Sequence, residues 1–204
     1  MSYIVHIFLG FLMAFVGLIP PGMLNMSAVR TSIEMGKKAA ILFSLGAAAV
    51  VIPQAYIALS FAQYFVNHPE IIDRLTIAGV IVLFGLSIFF FVQARKRFRG
   101  EGKNKRGDYF LIGMIMSVMN MLAIPFYLLM STILKNKGLL IMEQPYINFF
   151  VFGVFVGAFS LFFVYVLFAY FIERRAQFIA RNINYILSIL FLFLGILTLI
   201  KMMN

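Results

Sequence analysis

Apolar runs long enough to cross a bilayer constrain the fold of this chain more than any other feature. A membrane-spanning helix needs about 20 mostly apolar residues, and the 204-residue chain is 63% hydrophobic but only 12% charged. We therefore predict an all-α integral membrane protein with six transmembrane helices. The predicted spans cover residues 3–29, 39–66, 75–93, 109–134, 146–172 and 183–200.

The basic residues predict the orientation of these spans. Of the 17 Lys and Arg residues, 13 fall on alternate connecting segments, as six spans require. By the positive-inside rule those segments face the cytoplasm, so both termini are predicted to be extracytoplasmic. The segment 95–108 carries much of the net charge of +10. We interpret it as a determinant of topology, and we expect no nucleic-acid partner.

The six spans form one membrane domain over residues 1–204, which we expect to be two inverted-topology three-helix repeats. Because three is odd, the second group of spans enters the membrane from the opposite side. Repeat 1 covers about residues 1–94, and repeat 2 covers about residues 109–204. Similar features recur in the same order in both halves, namely the helix breakers at 20–22 and 120–125, the glycines Gly46, Gly153 and Gly157, and the segments 82–86 and 193–197.

A run of helix breakers, Pro20-Pro21-Gly22, interrupts the first predicted span. In lipid each unpaired backbone polar group is costly, so a broken helix must be buried in protein or line a wet cavity. The helix after Gly22 offers free N–H groups and a positive dipole end to a carboxylate. Carbonyls before Pro20 and Pro125 suit an ammonium group, so the breaks predict a site for a zwitterion.

Polar and helix-breaking residues near mid-span extend this site. The predicted substrate-binding residues are Pro21, Gly22, Asn25, Ser27, Gln54, Asn120 and Pro125. Alternatives stay open: a packing kink at the prolines, back-bonding by Ser27, and helix–helix contacts by Asn120. We predict a further break at Pro53-Gln54, and we expect phenylalanine runs such as 160–165 to face lipid.

Proton coupling has few candidates, because no Asp or Glu lies within a predicted span. Glu34 is nearest to the first break and is a candidate gate or proton acceptor. A solvated charge is the alternative interpretation. With no cysteine and only two histidines, we expect no metal site.

The segment PPGMLNMSAVRTSIEMGKKAAILFSLG resembles the LysE/RhtB family of amino-acid exporters. The resemblance rests on Pro21-Gly22, the turn Gly36-Lys37-Lys38, Gly46, Asn120 and the late Gly195, with a weaker match through Leu75, Gly79, Leu83 and Gly85. Met23 departs from the family pattern by replacing its second proline. Met121 and Leu122 depart from it by replacing a Pro-Lys pair.

The resemblance implies a secondary transporter in the inner membrane of a bacterium. It would export amino acids or related small zwitterionic solutes as an antiporter driven by the proton gradient, with no cofactor. The expected partners are a small-molecule substrate and membrane lipid, and a homodimer is left open.

Other functions receive less support from the residues. An enzyme would need a concentrated set of catalytic side chains, and the sequence has no paired carboxylates and no His-Glu zinc motif. A cation or metal-ion exporter of the same superfamily would need carboxylate or thiolate ligands at mid-membrane. A non-transporting membrane scaffold would not require aligned helix breaks.

Overall fold

The structure, a computed structural model, describes residues 2–68, 80–81, 83–88, 91–92, 107–120 and 122–203. Those residues contain α-helix and no β-strand, so the predicted all-α class is confirmed. The chain divides into two compact units. The first comprises Met1–Val66 and Asn104–Arg174, and the second comprises Asn67–Lys103 and Arg175–Asn204.

Seven helices have both ends within the described residues. They are α1 (Tyr3–Gly17), α2 (Met23–Met35), α3 (Lys37–Asn67), α4 (Tyr109–Val118), α5 (Ala123–Asn136), α6 (Tyr146–Leu167) and α7 (Ala169–Met203). Residues 80–81, 83–88 and 91–92 are also helical and belong to the second unit.

Two of the described helices, α1 and α4, begin with side-chain caps. The Ser2 hydroxyl accepts a hydrogen bond from the Ile4 N–H at 3.3 Å at the start of α1. Asp108 does the same for α4, where its carboxylate accepts from the N–H groups of Phe110 and Leu111 at 3.0 and 3.3 Å. Such caps satisfy backbone donors that the first helical turn leaves unpaired.

Two described helices, α3 and α6, are long and apolar enough to cross a bilayer alone. The pair α4 and α5, bent by 66°, forms a third if it is one broken span. The helix α1 is apolar but has only 15 residues. The predicted third span, 75–93, lies largely outside the described residues, so the count of six spans and the repeat boundaries stay predictions.

One predicted connection is shorter than expected, and two predicted interruptions are absent. The polar segment 30–38 is helical except around Gly36, whose φ of 90° lets α2 turn directly into α3. The segment 173–182 is not a loop but part of α7, because its Glu, Arg, Ala and Gln residues favour helix and no Gly or Pro interrupts it.

The predicted break at Pro53 is also absent, since α3 runs continuously through it. A proline inside a helix removes a hydrogen bond and often kinks the chain. Here Pro53 lies on the exposed face, while Gln54 and Ala55 are buried in the core. Packing of the opposite face therefore keeps the helix continuous.

Glycines bring the helices of the first unit into backbone contact. A Cβ on Gly10 of α1 would overlap the Phe150 carbonyl of α6, and a Cβ on Gly153 of α6 would overlap the Ile7 carbonyl of α1. The same reciprocal arrangement joins α3 to α4, where Gly46 faces the Phe110 carbonyl and Gly113 faces the Phe43 carbonyl. Close approach of this kind is typical of membrane helix pairs, which associate through small residues. Gly46, Gly153 and Gly157, which recur in the two halves of the sequence, are therefore close-packing residues.

The second unit contains its own reciprocal contact. The Ser87 hydroxyl donates to the Ser188 carbonyl at 2.9 Å, and the Ser188 hydroxyl donates to the Ser87 carbonyl at 2.9 Å. Nearby, Gly195 packs against Leu83 and Phe84. Buried serines of this kind hold two apolar helices in register where water is absent.

Candidate functional site

The first break in the helices lies between Gly17 and Met23, and buried side chains satisfy its carbonyl groups. The Asn25 amide donates to the Leu18 carbonyl at 2.6 Å and to the Pro20 carbonyl at 3.1 Å. The Tyr165 hydroxyl donates to the intervening Ile19 carbonyl at 2.6 Å. Three consecutive carbonyls of the break, those of residues 18–20, therefore already have protein partners in the first unit.

The N-terminal end of α2, in contrast, has backbone N–H groups that no side chain caps. Gly22 is its N-cap, with φ −104° and ψ −177°, and no side chain caps this helix end. The first intrahelical bond runs from the Met26 N–H to the Gly22 carbonyl at 3.0 Å. The N–H groups of the first turn consequently point towards the break with the positive end of the helix dipole behind them.

The second break lies between Val118 and Ala123, where α4 and α5 meet at 66°. The Gln54 amide nitrogen of α3 donates to the Ser117 carbonyl at 2.9 Å. The backbone N–H of Asn120 donates to the same carbonyl at 3.1 Å. The Gln54 side chain and the Asn120 backbone thus donate to one carbonyl at the end of α4. At the end of α1, Asn25 and Tyr165 donate to neighbouring carbonyls in the same way.

Two buried polar atoms at the second break have no hydrogen-bond partner. They are the side-chain oxygen Oε1 of Gln54 and the hydroxyl Oγ of Ser117. Both residues are buried, at 6% and 1% exposure. A buried polar atom without a partner costs free energy, so these two atoms are the natural acceptors for a bound group in this part of the fold.

The two breaks are neighbours within the first unit. A Cβ on Gly17, the last residue of α1, would overlap the ring of Phe126 in the first turn of α5. The absence of a side chain at Gly17 therefore lets the start of α5 pack against the end of α1. This contact brings the broken ends of two helices from opposite halves of the chain together.

The remaining predicted residues are less involved. Pro21 and Ser27 are half-buried, and Gly22 is exposed at the break. Pro125 is exposed and is the third residue of α5. A proline in the first helical turn frees no intrahelical carbonyl, so the second break is made by residues before it.

Glu34 is paired and partly exposed. Its carboxylate accepts a hydrogen bond from the Arg30 guanidinium at 2.7 Å, one helical turn away on α2. The carboxylate lies at the C-terminal end of α2 and away from the break. Partly exposed pairs of this spacing contribute little to stability.

A half-open cavity of about 310 Å³ lies elsewhere in the first unit, at the C-terminal part of α3. It is lined mainly by Tyr56, Ser60, Gln63, Met142, Glu143 and Gln144. Beside it, the Tyr56 hydroxyl donates to the Asn148 side-chain oxygen at 2.7 Å. Sequence patterns gave no indication of this cavity, because its walls come from separate segments.

Sequence reasoning missed two residues at the breaks, Tyr165 and Ser117. The run that ends in Tyr165 was expected to face lipid, but Leu161, Phe162 and Tyr165 are buried. The Tyr165 hydroxyl at the end of a phenylalanine-rich run was the available signal, since Tyr hydroxyls in apolar surroundings usually find a partner.

A family model for the LysE type translocator matches residues 15–202, which includes both breaks and all described helices in part or whole. The chain belongs to the LysE-type translocator family. The predicted resemblance is therefore confirmed, and the protein is a membrane translocator. Comparisons with curated proteins and with solved structures give no match.

Membership in the LysE-type family places the apolar helices in a bilayer. Backbone breaks at membrane depth are tolerated only inside protein or beside a wet cavity. The capped carbonyls of this LysE-type translocator meet that requirement. Among the described residues, no group of three His, Cys, Asp or Glu side chains lies close enough to hold a metal ion.

Proposed function

We propose that this LysE-type translocator exports amino acids or related small zwitterionic solutes across the cytoplasmic membrane, and that the solute binds at the two broken helices. The observation that carries the proposal is the uncapped N-terminal end of α2 at a break whose carbonyls are already satisfied by Asn25 and Tyr165. The N–H groups at a helix end without a side-chain cap favour an anionic group such as a carboxylate.

The other end of a zwitterion needs acceptors, and the second break supplies them. Gln54 Oε1 and Ser117 Oγ are buried acceptors without partners. An ammonium group carries three donors and no acceptor, so it would satisfy both. Contact between Gly17 and Phe126 supports placing both ends of one small solute between the two breaks.

Two inverted repeats would explain why the two breaks share the same features. Each break follows an apolar helix with a side-chain cap. A helix of the opposite repeat donates to a carbonyl at each break, Tyr165 of α6 at the first and Gln54 of α3 at the second. The reciprocal glycine contacts support the same relation, because Gly10 of α1 and Gly46 of α3 have repeat counterparts in Gly113 of α4 and Gly153 of α6. Many transporters are built from two such repeats around a midplane site.

An export assay tests the proposal. Cells are loaded with a panel of dipeptides, which they hydrolyse to free amino acids, and efflux is compared with and without the protein. The double variant Pro21→Ala with Gly22→Ala should let α1 and α2 join, pair the free N–H groups internally and reduce efflux strongly while insertion persists. Wild-type efflux from an inserted double variant would show that the break is only a packing kink.

The matched control is Gly85→Ala, where an added Cβ meets no atom within 4 Å. This variant should be inserted and should export at the wild-type rate. If no solute in the panel leaves the cells faster with the wild-type protein, amino-acid export is the wrong function.

A further inference from the structure

The buried imidazole of His6 makes two hydrogen bonds that define its protonation state. The residue is the fourth of α1 and is fully buried, at 0% exposure. Its Nδ1 lies 3.2 Å from the Ser2 carbonyl oxygen, and its Nε2 accepts the Ile141 N–H at 3.1 Å. A carbonyl only accepts and a backbone N–H only donates. Both bonds therefore require a neutral ring with its hydrogen on Nδ1.

The bond to Ile141 fixes a loop that forms one wall of the 310 Å³ cavity. This loop connects α5, which ends at Asn136, to α6, which begins at Tyr146. The residues after Ile141 are Met142, Glu143 and Gln144, and all three line the cavity. His6 consequently holds the cavity wall through a single backbone hydrogen bond.

We propose that His6 is a proton-binding site of this translocator, and that proton binding at Nε2 releases Ile141 and changes access to the cavity. The incoming proton takes the lone pair that accepts the Ile141 N–H, so two N–H groups then face each other. The bond from Nδ1 to Ser2 is kept. The proton returns to water when the ring becomes neutral again, and no other bond is made or broken.

Because His6 is buried, proton binding at Nε2 depends on movement of the loop. A charged group enclosed in protein is costly unless it gains hydrogen bonds to a partner or to water. The charged ring therefore favours an arrangement in which the loop has moved and water reaches Nε2. The neutral ring favours the closed arrangement, with Leu140 and Met142 buried on either side of Ile141.

The other titratable groups around His6 are few. The Tyr146 ring of α6 lies 4.8 Å from the imidazole, and Tyr3 packs against Tyr146. The loop contributes Lys137 and Glu143, both exposed, and α1 has no charged residue. Histidine is the side chain whose ordinary titration falls between pH 5 and 8.

Proton binding at His6 would couple the proposed exporter to the proton gradient, and only this role rests on the proposed function. Its test measures the cavity and no transport, so the two proposals can fail separately. The chain has no cysteine and its only histidines are His6 and His68. A single introduced cysteine is therefore a clean probe, and His68 is a matched control.

The experiment uses the purified full-length protein with one cysteine, either Met142→Cys on the loop wall, where the side chain is buried, or Ser60→Cys on the exposed α3 wall of the same cavity. Rates of labelling by a maleimide are measured from roughly pH 8 to pH 5. Dividing the rate for Met142→Cys by the rate for Ser60→Cys cancels the common effect of pH on thiol reactivity. We expect this ratio to rise several-fold as the pH falls.

Substitutions identify the group that titrates. His6→Gln keeps a donor and an acceptor but does not titrate in this range, so the ratio should stay flat. His68→Gln should leave the rise unchanged. A flat ratio in the protein that retains His6 would overturn the proposal even if His6→Gln fails to fold. A rise that persists in His6→Gln, or that disappears in His68→Gln, would also overturn it.

Discussion

At the scale of single residues, the breaks are held by side chains whose role depends on tertiary contacts. Asn25 could be predicted as a site residue because an amide in an apolar span needs a partner. Its actual partners, the carbonyls of Leu18 and Pro20, lie within the break itself. Tyr165 was missed because its partner Ile19 is far away in the sequence. Sequence thus identified which groups require hydrogen bonds, and only the fold showed where those bonds go.

Ser117 provides a residue-scale test of the ammonium contact. Its buried hydroxyl has no partner in the protein, so Ser117→Ala should leave thermal stability nearly unchanged. A hydrogen bond to a charged group contributes about 1.5–3 kcal/mol, so the KM for export should rise by roughly tenfold or more. The measurements are efflux against internal solute concentration and thermal unfolding in detergent.

The control for that variant is Ser131→Ala. Ser131 is equally buried, but its hydroxyl already donates to the Tyr127 carbonyl at 2.6 Å. Its removal should leave the KM unchanged. Equal effects of the two variants on the KM would show that Ser117 does not contact the solute.

At the scale of helices, composition predicted the class well and the interruptions poorly. The polar segment 173–182 reads as a loop in a hydropathy pattern, yet it continues as α7. The opposite error occurred at Pro53, where burial of the other face overrides a local breaker. Hydropathy reports which residues contact lipid or core, whereas helix ends depend on caps, glycines and packing that act together.

The reciprocal glycines give an element-scale prediction. In Gly46→Ala the added methyl group would overlap backbone atoms of Phe110. Backbone atoms cannot rotate out of the way as the end of a flexible side chain can. The helices α3 and α4 would have to separate, so the variant should be inserted in lower amount and unfold at a lower temperature. The same should hold for Gly10→Ala, because it overlaps the Phe150 carbonyl.

Gly85→Ala is again the comparison, since its Cβ meets no atom within 4 Å and alanine favours helix over glycine. It should be as stable as the wild type or slightly more so. Thermal unfolding in detergent measures all three variants. Wild-type stability of Gly46→Ala would mean that α3 and α4 do not approach through their backbones.

At the scale of the whole molecule, the positive-inside rule predicts a topology that follows from charge alone. Ser2 and Lys38 are both exposed and should lie on opposite sides of the membrane. In intact cells a membrane-impermeant maleimide should label Ser2→Cys, whereas Lys38→Cys should react only after lysis. Labelling of Lys38→Cys alone in intact cells would reverse the orientation and contradict extracytoplasmic termini.

An exporter that alternates between two sides of a membrane spends part of each cycle with nothing bound. The hydrogen bonds from Asn25 and Tyr165 to the carbonyls of the first break lie wholly within the protein, so we expect them to persist when no solute is bound. Losing the solute then uncovers only the N–H groups at the start of α2, which a few water molecules can solvate. For the proposed exporter we therefore expect the return of the empty carrier to carry little energetic penalty, with the capping side chains contributing to turnover as well as to the stability of the fold.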